Sequence, residues 1–274
     1  MGFTILSASF ISQSSHHFDH YHDCHQLFFV TRGTANIQIN NTISTAKSGD
    51  LVVISRFSHH RIVEQSADYQ RYVLQLSPDF STGYEPVRTV SFTLFNRPAV
   101  FQNILSVGAQ QSQFRQIFEA IMLQMRTREL LYTQLLDLLV QQLFIHIYRQ
   151  LPAHLRTTDG NCFEIVYQIQ NRFQNEYATQ FCLQALATEY GISPSYLSHL
   201  FKKATGNSVM GYLLSCRIAA AQKHLTETDM PIKEIIAACG FSDCSNFSRT
   251  FHRITGFSPT QFRLQYRSTN SIPF

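Results

Sequence analysis

The chain has 274 residues, of which 44% are hydrophobic and 15% charged, with a formal net charge of +4. That length and composition exclude a chain too polar to bury a core and suit roughly two domains. No run reaches the roughly 20 apolar residues of a membrane span, and MGFTILSASFISQSS has no basic region before its short apolar stretch, so a soluble, cytoplasmic protein is expected. The six cysteines (24, 162, 182, 216, 239 and 244) form no C-x-x-C pair and read as buried free thiols.

The first hundred residues read as strands. Apolar and polar residues alternate over 35–40 (ANIQIN) and 70–76 (QRYVLQL), which predicts one buried face in each. Continuous apolar runs at 27–30 (LFFV) and 51–54 (LVVI), closed by Arg32-Gly33 and Ser48-Gly49-Asp50, predict strands covered on both sides. Short strands this closely spaced suit a small β-barrel or two-sheet roll.

From about residue 110 the period changes to three and four. Phe114, Ile117, Phe118, Ile121, Met122 and Met125 mark one amphipathic helix; Leu131, Leu135, Leu138, Leu139, Gln142, Leu143 and Ile147 mark a second. Their stripes either pack on the strands or form a helix-to-helix dimer seam. Leu151-Pro152 ends the second helix, and AHLRTTDG has linker composition. The expected organisation is therefore a sheet domain over 1–108, helices over 109–151, a linker over 152–161, a helical domain over 162–267 and a tail over 268–274.

The helical domain contains a duplication. LQALATEYGISPSYLSHLFKKATGNS from Leu183 aligns with IKEIIAACGFSDCSNFSRTFHRITGFS from Ile232. Gly191 pairs with Gly240, then Leu197 with Phe247, Phe201 with Phe251, Gly206 with Gly256 and Ser208 with Ser258. Each copy reads as helix, glycine turn, helix. In copy one Ser193 is the expected cap, with Pro194 at the first helical position; in copy two it is Ser242. Leu197, Leu200, Phe201 and Ala204 face inward in copy one, as do Phe247, Phe251 and Ile254 in copy two. Polar and basic residues remain outside. Residues 1–160 hold 12 Lys and Arg against 11 Asp and Glu, whereas 190–274 hold 9 against 4, so the basic excess sits with the repeat. A helix over 208–225 would join the copies as a rod of about 27 Å, close to the ~34 Å between successive major grooves.

Residues 162–267 resemble the DNA-binding domain of AraC/XylS-type transcription regulators, and GFSDCSNFSRTFHRITGFSPTQFR (240–263) is similar to that family's second helix-turn-helix signature. Ile236 departs from the alanine usual there. The resemblance implies that Ser195, Tyr196 and His199 in copy one, and Cys244, Ser245, Asn246 and Arg249 in copy two, occupy base-reading positions. Lys202, Lys203, Arg217 and Arg253 are expected at phosphates. The same family commonly carries an N-terminal cupin-like sensor barrel. HYHDCHQLFFVTRG (20–33) and SGDLVVISRFSHH (48–60) resemble the two cupin motifs, with Arg56 where proline is usual.

In metal-dependent cupins the first motif supplies two histidines and a glutamate. Here His20 and His22 are followed by Gln26, a neutral donor that lends a cation no charge, so no metal and no cofactor is expected. His20, His22, Gln26 and His59 are instead expected to line a ligand pocket, with Arg32 and Arg71 as further candidates. His59 or His60 could still complete a three-histidine set with His20 and His22, to which Asp19, Asp23 and His25 would add acidic or supporting groups, whereas His16, His17 and His25 also read as surface residues. A response to pH near 6 to 7 would follow from so many histidines. The expected fold class is α+β: a cupin-like β-barrel with two following helices, then an all-α domain of two helix-turn-helix units joined by a long helix. The expected function is a ligand-responsive, sequence-specific DNA-binding transcription regulator and not an enzyme. Its expected partners are double-stranded DNA, a small-molecule effector, a second copy of the chain and RNA polymerase. The competing reading is a metal-dependent cupin enzyme with an accessory DNA-binding domain.

Overall fold

A computed structural model describes residues 5–12, 23–40, 42–77, 94–96, 103–151 and 160–268, with the backbone alone at 160–163 and 266–268. The chain divides into two compact units, 1–163 and 164–274. His20 and His22 lie outside the described residues, as do His16, His17 and Asp19.

Among the described residues the first unit has eight strands: β1 Ile5–Ile11, β2 His25–Arg32, β3 Thr34–Ile39, β4 Thr42–Lys47, β5 Asp50–Ile54, β6 His60–Gln65, β7 Gln70–Leu76 and β8 Ile104–Ser106. They form two sheets, β1-β7-β2-β5-β8 and β4-β3-β6. Among the described strands the sheets do not hydrogen-bond into a closed barrel, so the two-sheet roll is the arrangement adopted. Gly33 and Gly49 turn the chain with φ of 70° and 87°, left-handed values that glycine adopts freely.

β2 and β5 are buried on both faces, as their apolar runs predict. β7 is a correction. Its polar-apolar alternation predicts one wet face, but Arg71 to Leu76 are all buried. β7 lies between β1 and β2. Tyr72, Leu74 and Leu76 therefore pack with the helices on the outer side of the sheet, while Val73 packs between the sheets with Phe28, Val30, Ile37, Val52 and Ile62. Arg71 and Gln75 share Val73's face and are consequently polar groups directed inward.

α1 Gln111–Thr127 buries Phe114, Ile117, Phe118 and Ile121, the stripe expected from sequence. Phe118 stacks on both Phe29 (5.7 Å) and Tyr72 (5.7 Å), which fastens this helix to the five-stranded sheet. α2 Tyr132–Gln150 bears out its expected stripe only in part, at Leu143, Ile147 and the half-buried Leu139. It buries Leu136, Val140, Leu143, Phe144 and Ile147. Leu131 (62% exposed), Leu135 and Leu138 (61%) face solvent instead.

The second unit contains α3 Gly160–Asn175, α4 Leu183–Glu189, α5 Pro194–Thr205, α6 Val209–Glu227, α7 Ile232–Ala238, α8 Cys244–Thr255 and α9 Pro259–Ser268. The duplication extends to hydrogen bonds. Thr205 and Thr255 each donate from Oγ1 to the carbonyl four residues back, Phe201 and Phe251, and each accepts from the amide two residues on, Asn207 and Phe257. Gly206 and Gly256 close α5 and α8 with φ of 75° and 76°. Phe247 and Phe251 are fully buried with Ile218, Leu225, Ile235 and Phe262, and Ile236 is accommodated in that cluster at 6% exposure.

Candidate DNA interface and sensor interior

In the second unit, α5 and α8 are the second helices of the two repeats, and local chemistry fixes where each begins. Ser193 caps α5, its Oγ accepting from the Tyr196 amide at 3.2 Å, and Pro194 follows at the first position. Copy two differs from expectation, because Asp243 and not Ser242 caps α8. Its carboxylate accepts from the amides of Ser245 (3.0 Å) and Asn246 (2.9 Å). Two orphan amides are satisfied by one charged group, and a negative charge at the helix N-terminus also complements the helix dipole.

Leu197 and Phe201 on α5, and Phe247, Thr250 and Phe251 on α8, point inward. On the opposite faces Ser195, Tyr196, His199, Lys202 and Lys203 are exposed in copy one, and Cys244, Ser245, Asn246, Arg249, His252 and Arg253 in copy two. The expected base-reading residues therefore share the outer face of each second helix. Arg249 lies back along α8, its Nε 3.4 Å from the Ser245 carbonyl oxygen. Lys202, Lys203, Arg249 and Arg253 enter none of the ion pairs found among the described residues, so their charges face solvent uncompensated.

Arg217 is placed differently from the other expected phosphate contacts. Its Nε donates to the Tyr177 carbonyl (2.8 Å), its Nη2 to that of Thr179 (2.9 Å), and its guanidinium lies 5.8 Å from the Phe241 ring. Half-burial draws its pKa downward, though an arginine stays charged. Arg217 holds the segment after α3 against α6, a packing role that its spacing in the sequence does not reveal.

The cysteine expectation holds only in part. Cys24, Cys216 and Cys239 are buried and free, whereas Cys182 and Cys244 are free and exposed; the side chain of Cys162 lies outside the described residues.

Of the expected ligand-pocket residues, Gln26 lies inside the roll at 3% exposure, and its Oε1 has no hydrogen-bond partner among the described residues. His59 does not line the interior. It is exposed at the turn before β6, and its neighbour His60 is the buried one (3%), with its ring edge-on to Phe28 at 6.3 Å and Nδ1 3.0 Å from the Ser58 carbonyl oxygen. Strand alternation forces this exchange, since adjacent residues point to opposite faces. Arg32 is likewise outside, paired with Asp68 at 3.2 Å between two exposed side chains.

His25 is not a simple surface residue. Its ring stacks on Phe95 at 4.0 Å, and its Nδ1 accepts from the Arg56 amide (3.1 Å), while the Arg56 guanidinium pairs with Asp23. Burial, then the Arg56 charge, pulls the His25 pKa from 6.5 to about 3. His25 is neutral near pH 7 and does not titrate at pH 6 to 7 in the folded chain. The unfolded chain takes up that proton below about 6.5 and the folded chain does not, so this histidine's contribution to stability is full above pH 6.5 and is lost as pH falls toward 3.

Arg71 is a buried cation on the interior face, at 6% exposure. Its guanidinium lies 4.9 Å from the Phe28 ring and 5.3 Å from the Tyr69 ring. Its Nε and Nη1 have no hydrogen-bond partner among the described residues. Burial pushes the Tyr69 hydroxyl pKa above 10 despite the opposing pull of Arg71, so that hydroxyl stays neutral beside the guanidinium. The described residues contain no group of three or more His, Cys, Asp or Glu placed to hold a metal ion, and none of their helices is long and apolar enough to cross a membrane.

Comparison with known proteins gives the same division. Residues 5–151 match the family described as an AraC-like ligand binding domain, and 186–265 match a helix-turn-helix domain. The HTH-type transcriptional activator RhaR of Pectobacterium atrosepticum is 26% identical over 260 residues, covering 90% of this chain and 86% of RhaR. The HTH-type transcriptional regulator YijO of Escherichia coli K12, itself uncharacterized, is 34% identical over 133 residues. That match spans about half of each protein, 48% of this chain and 46% of YijO. Among solved structures, ToxT from Vibrio cholerae with an unsaturated fatty acid bound superposes with a TM-score of 0.62 at 12% identity, covering 99% of this chain and 98% of ToxT.

Proposed function

This chain belongs to the AraC family of ligand-responsive, DNA-binding transcription regulators, and we propose that it reads a specific operator through the outer faces of α5 and α8 in response to a small molecule held between its two sheets. The observation that carries the reading is the pair of capped helices, each presenting short polar side chains and uncompensated cations on the face opposite its buried phenylalanines. Short polar groups at a helix N-terminus suit base edges, and flanking cations suit phosphates. In this reading Ser195, Tyr196, His199, Cys244, Ser245, Asn246 and Arg249 read bases, while Lys202, Lys203 and Arg253 hold the backbone. Arg217 acts behind them by positioning.

Selection of bound duplexes from random oligonucleotides by the full chain tests this. Enrichment of a two-part motif about one helical turn in spacing is expected; unenriched sequence would overturn operator reading.

The protein acts in the cytoplasm as a regulator and not as an enzyme, and ligand binding shifts an existing equilibrium in how the DNA-binding units are presented. We assign its dimer seam to the outer face of α2. Leu131, Leu135, Leu138, Gln142 and Ile145 recur at alternating steps of four and three, the period of a coiled-coil seam, and the leucines and Ile145 are exposed. Leu138→Arg should give monomers at concentrations where the wild type dimerises, read by sedimentation, with the wild-type helix content retained by circular dichroism. RNA polymerase is the further partner this reading entails.

A further inference from the structure

We infer that the space between the two sheets takes a small organic monocarboxylate whose carboxylate pairs with Arg71. The inference rests on the reading of this unit as a ligand sensor and names the chemistry it senses. Three facing pairs of β2 and β7 set the site: Val30 with Arg71, Phe28 with Val73, and Gln26 with Gln75. Facing residues in a sheet point to the same side, so these six line one strip of the interior. Arg71 stands at one end of it.

A guanidinium cannot shed its proton in this pH range, and a buried charge is retained only where something opposite compensates it. Here no carboxylate lies within 4.0 Å of Arg71 among the described residues. The Tyr69 hydroxyl beside it is neutral, and the two aromatic faces at 4.9 and 5.3 Å hold the guanidinium without neutralising it. Its Nε and Nη1 hydrogens are unclaimed among those residues, and carboxylate oxygens match that planar fork. One guanidinium compensates one negative charge, so a phosphate dianion would leave a net charge among apolar walls.

Those walls are Phe28, Val73, Val30 and Ile62, which favours an apolar body behind the carboxylate. At about 3.4 Å per residue, the pair of Gln26 and Gln75 lies roughly 13 to 14 Å along the strands from Arg71. There Gln26 offers a buried acceptor without a described partner.

The test is thermal unfolding of the full chain with sodium butyrate, hexanoate, octanoate, decanoate or benzoate. Each is set against its matched primary alcohol and against inorganic phosphate at equal ionic strength, for wild type, Arg71→Met and Arg71→Lys. At least one carboxylate should raise the wild-type unfolding temperature saturably, with at least tenfold higher affinity than its alcohol. Arg71→Met should weaken that carboxylate at least tenfold, leave the alcohol unchanged, and unfold without ligand at or above the wild-type temperature, because it removes an uncompensated charge. Arg71→Lys should recover part of the affinity.

The assignment is overturned if no carboxylate stabilises, if alcohols or phosphate bind as well, or if Arg71→Met alone unfolds well below wild type, which would reveal a counter-ion within the chain. Those outcomes leave the regulator reading standing wherever oligonucleotide selection still returns an operator. Loss of the operator with carboxylate binding intact fails the regulator reading alone.

Discussion

Replacing Arg249 by alanine should reduce the preference for operator over random duplex by about 5- to 150-fold, while binding to random duplex falls only modestly. The range follows from the roughly 1 to 3 kcal/mol of discrimination carried by a bidentate arginine at guanine O6 and N7. Arg249 suits the role because it lies on the exposed face of α8, one turn beyond Ser245, and takes part in no ion pair among the described residues. Its present contact with the Ser245 carbonyl is long and exposed, so little is lost when it extends toward a base. The neighbouring cations provide the control. Lys202→Ala or Lys203→Ala should lower affinity for all sequences alike and reduce the salt dependence by about one counter-ion. Titration of operator and random duplexes at several salt concentrations separates the two behaviours; an equal loss on both DNAs for Arg249→Ala would place Arg249 among the phosphate contacts.

The contrast between the two units explains what could be read from the sequence. The helix-turn-helix pair was legible because its signals are local: Gly191 and Gly240 after short helices, Ser193-Pro194 at a helix start, phenylalanines at steps of four. Even so, copy two begins at Asp243 and not Ser242, since a carboxylate one residue later reaches two amides at once. The first unit was less legible because its side-chain directions depend on layers that no short window contains. β7 is buried on both faces only because α1 covers one side and the second sheet the other. The stripe on α2 was legible only in part, at Leu143 and Ile147, since the helix has two apolar faces and the larger one, with Phe144 and Val140, joins the core cluster that also holds Leu51, Val53 and Leu74. His59 and His60 differ by a single step along the strand, and only the pairing of Ile39 with His60 decides which is inside. For the same reason Arg71, a secondary candidate in sequence, proves to be buried on the interior face.

Gly240→Ala should destabilise the helical unit by about 2 to 5 kcal/mol, whereas the equivalent Gly191→Ala should cost only about 1 to 2. Both glycines follow the first helix of a repeat and have positive φ, 75° and 67°, so both substitutions pay for a left-handed backbone. Only Gly240 is also crowded. A Cβ there would stand 2.5 Å from the Ala178 carbonyl oxygen and 2.8 Å from its Cα, while the space beside Gly191 is open. Backbone cannot swing aside as a flexible side chain does, so the 177–180 segment must move. That segment is held by Arg217 at the Tyr177 and Thr179 carbonyls and by Gln180, whose Nε2 donates to the Gly240 carbonyl at 3.1 Å. The substitution therefore disturbs the anchorage of Arg217 as well as the turn that aims α8. Urea unfolding of the full chain measures the cost. Operator affinity should fall more for Gly240→Ala than for Gly191→Ala even where both variants remain folded, because the crowded turn sets the direction of the helix that carries Arg249.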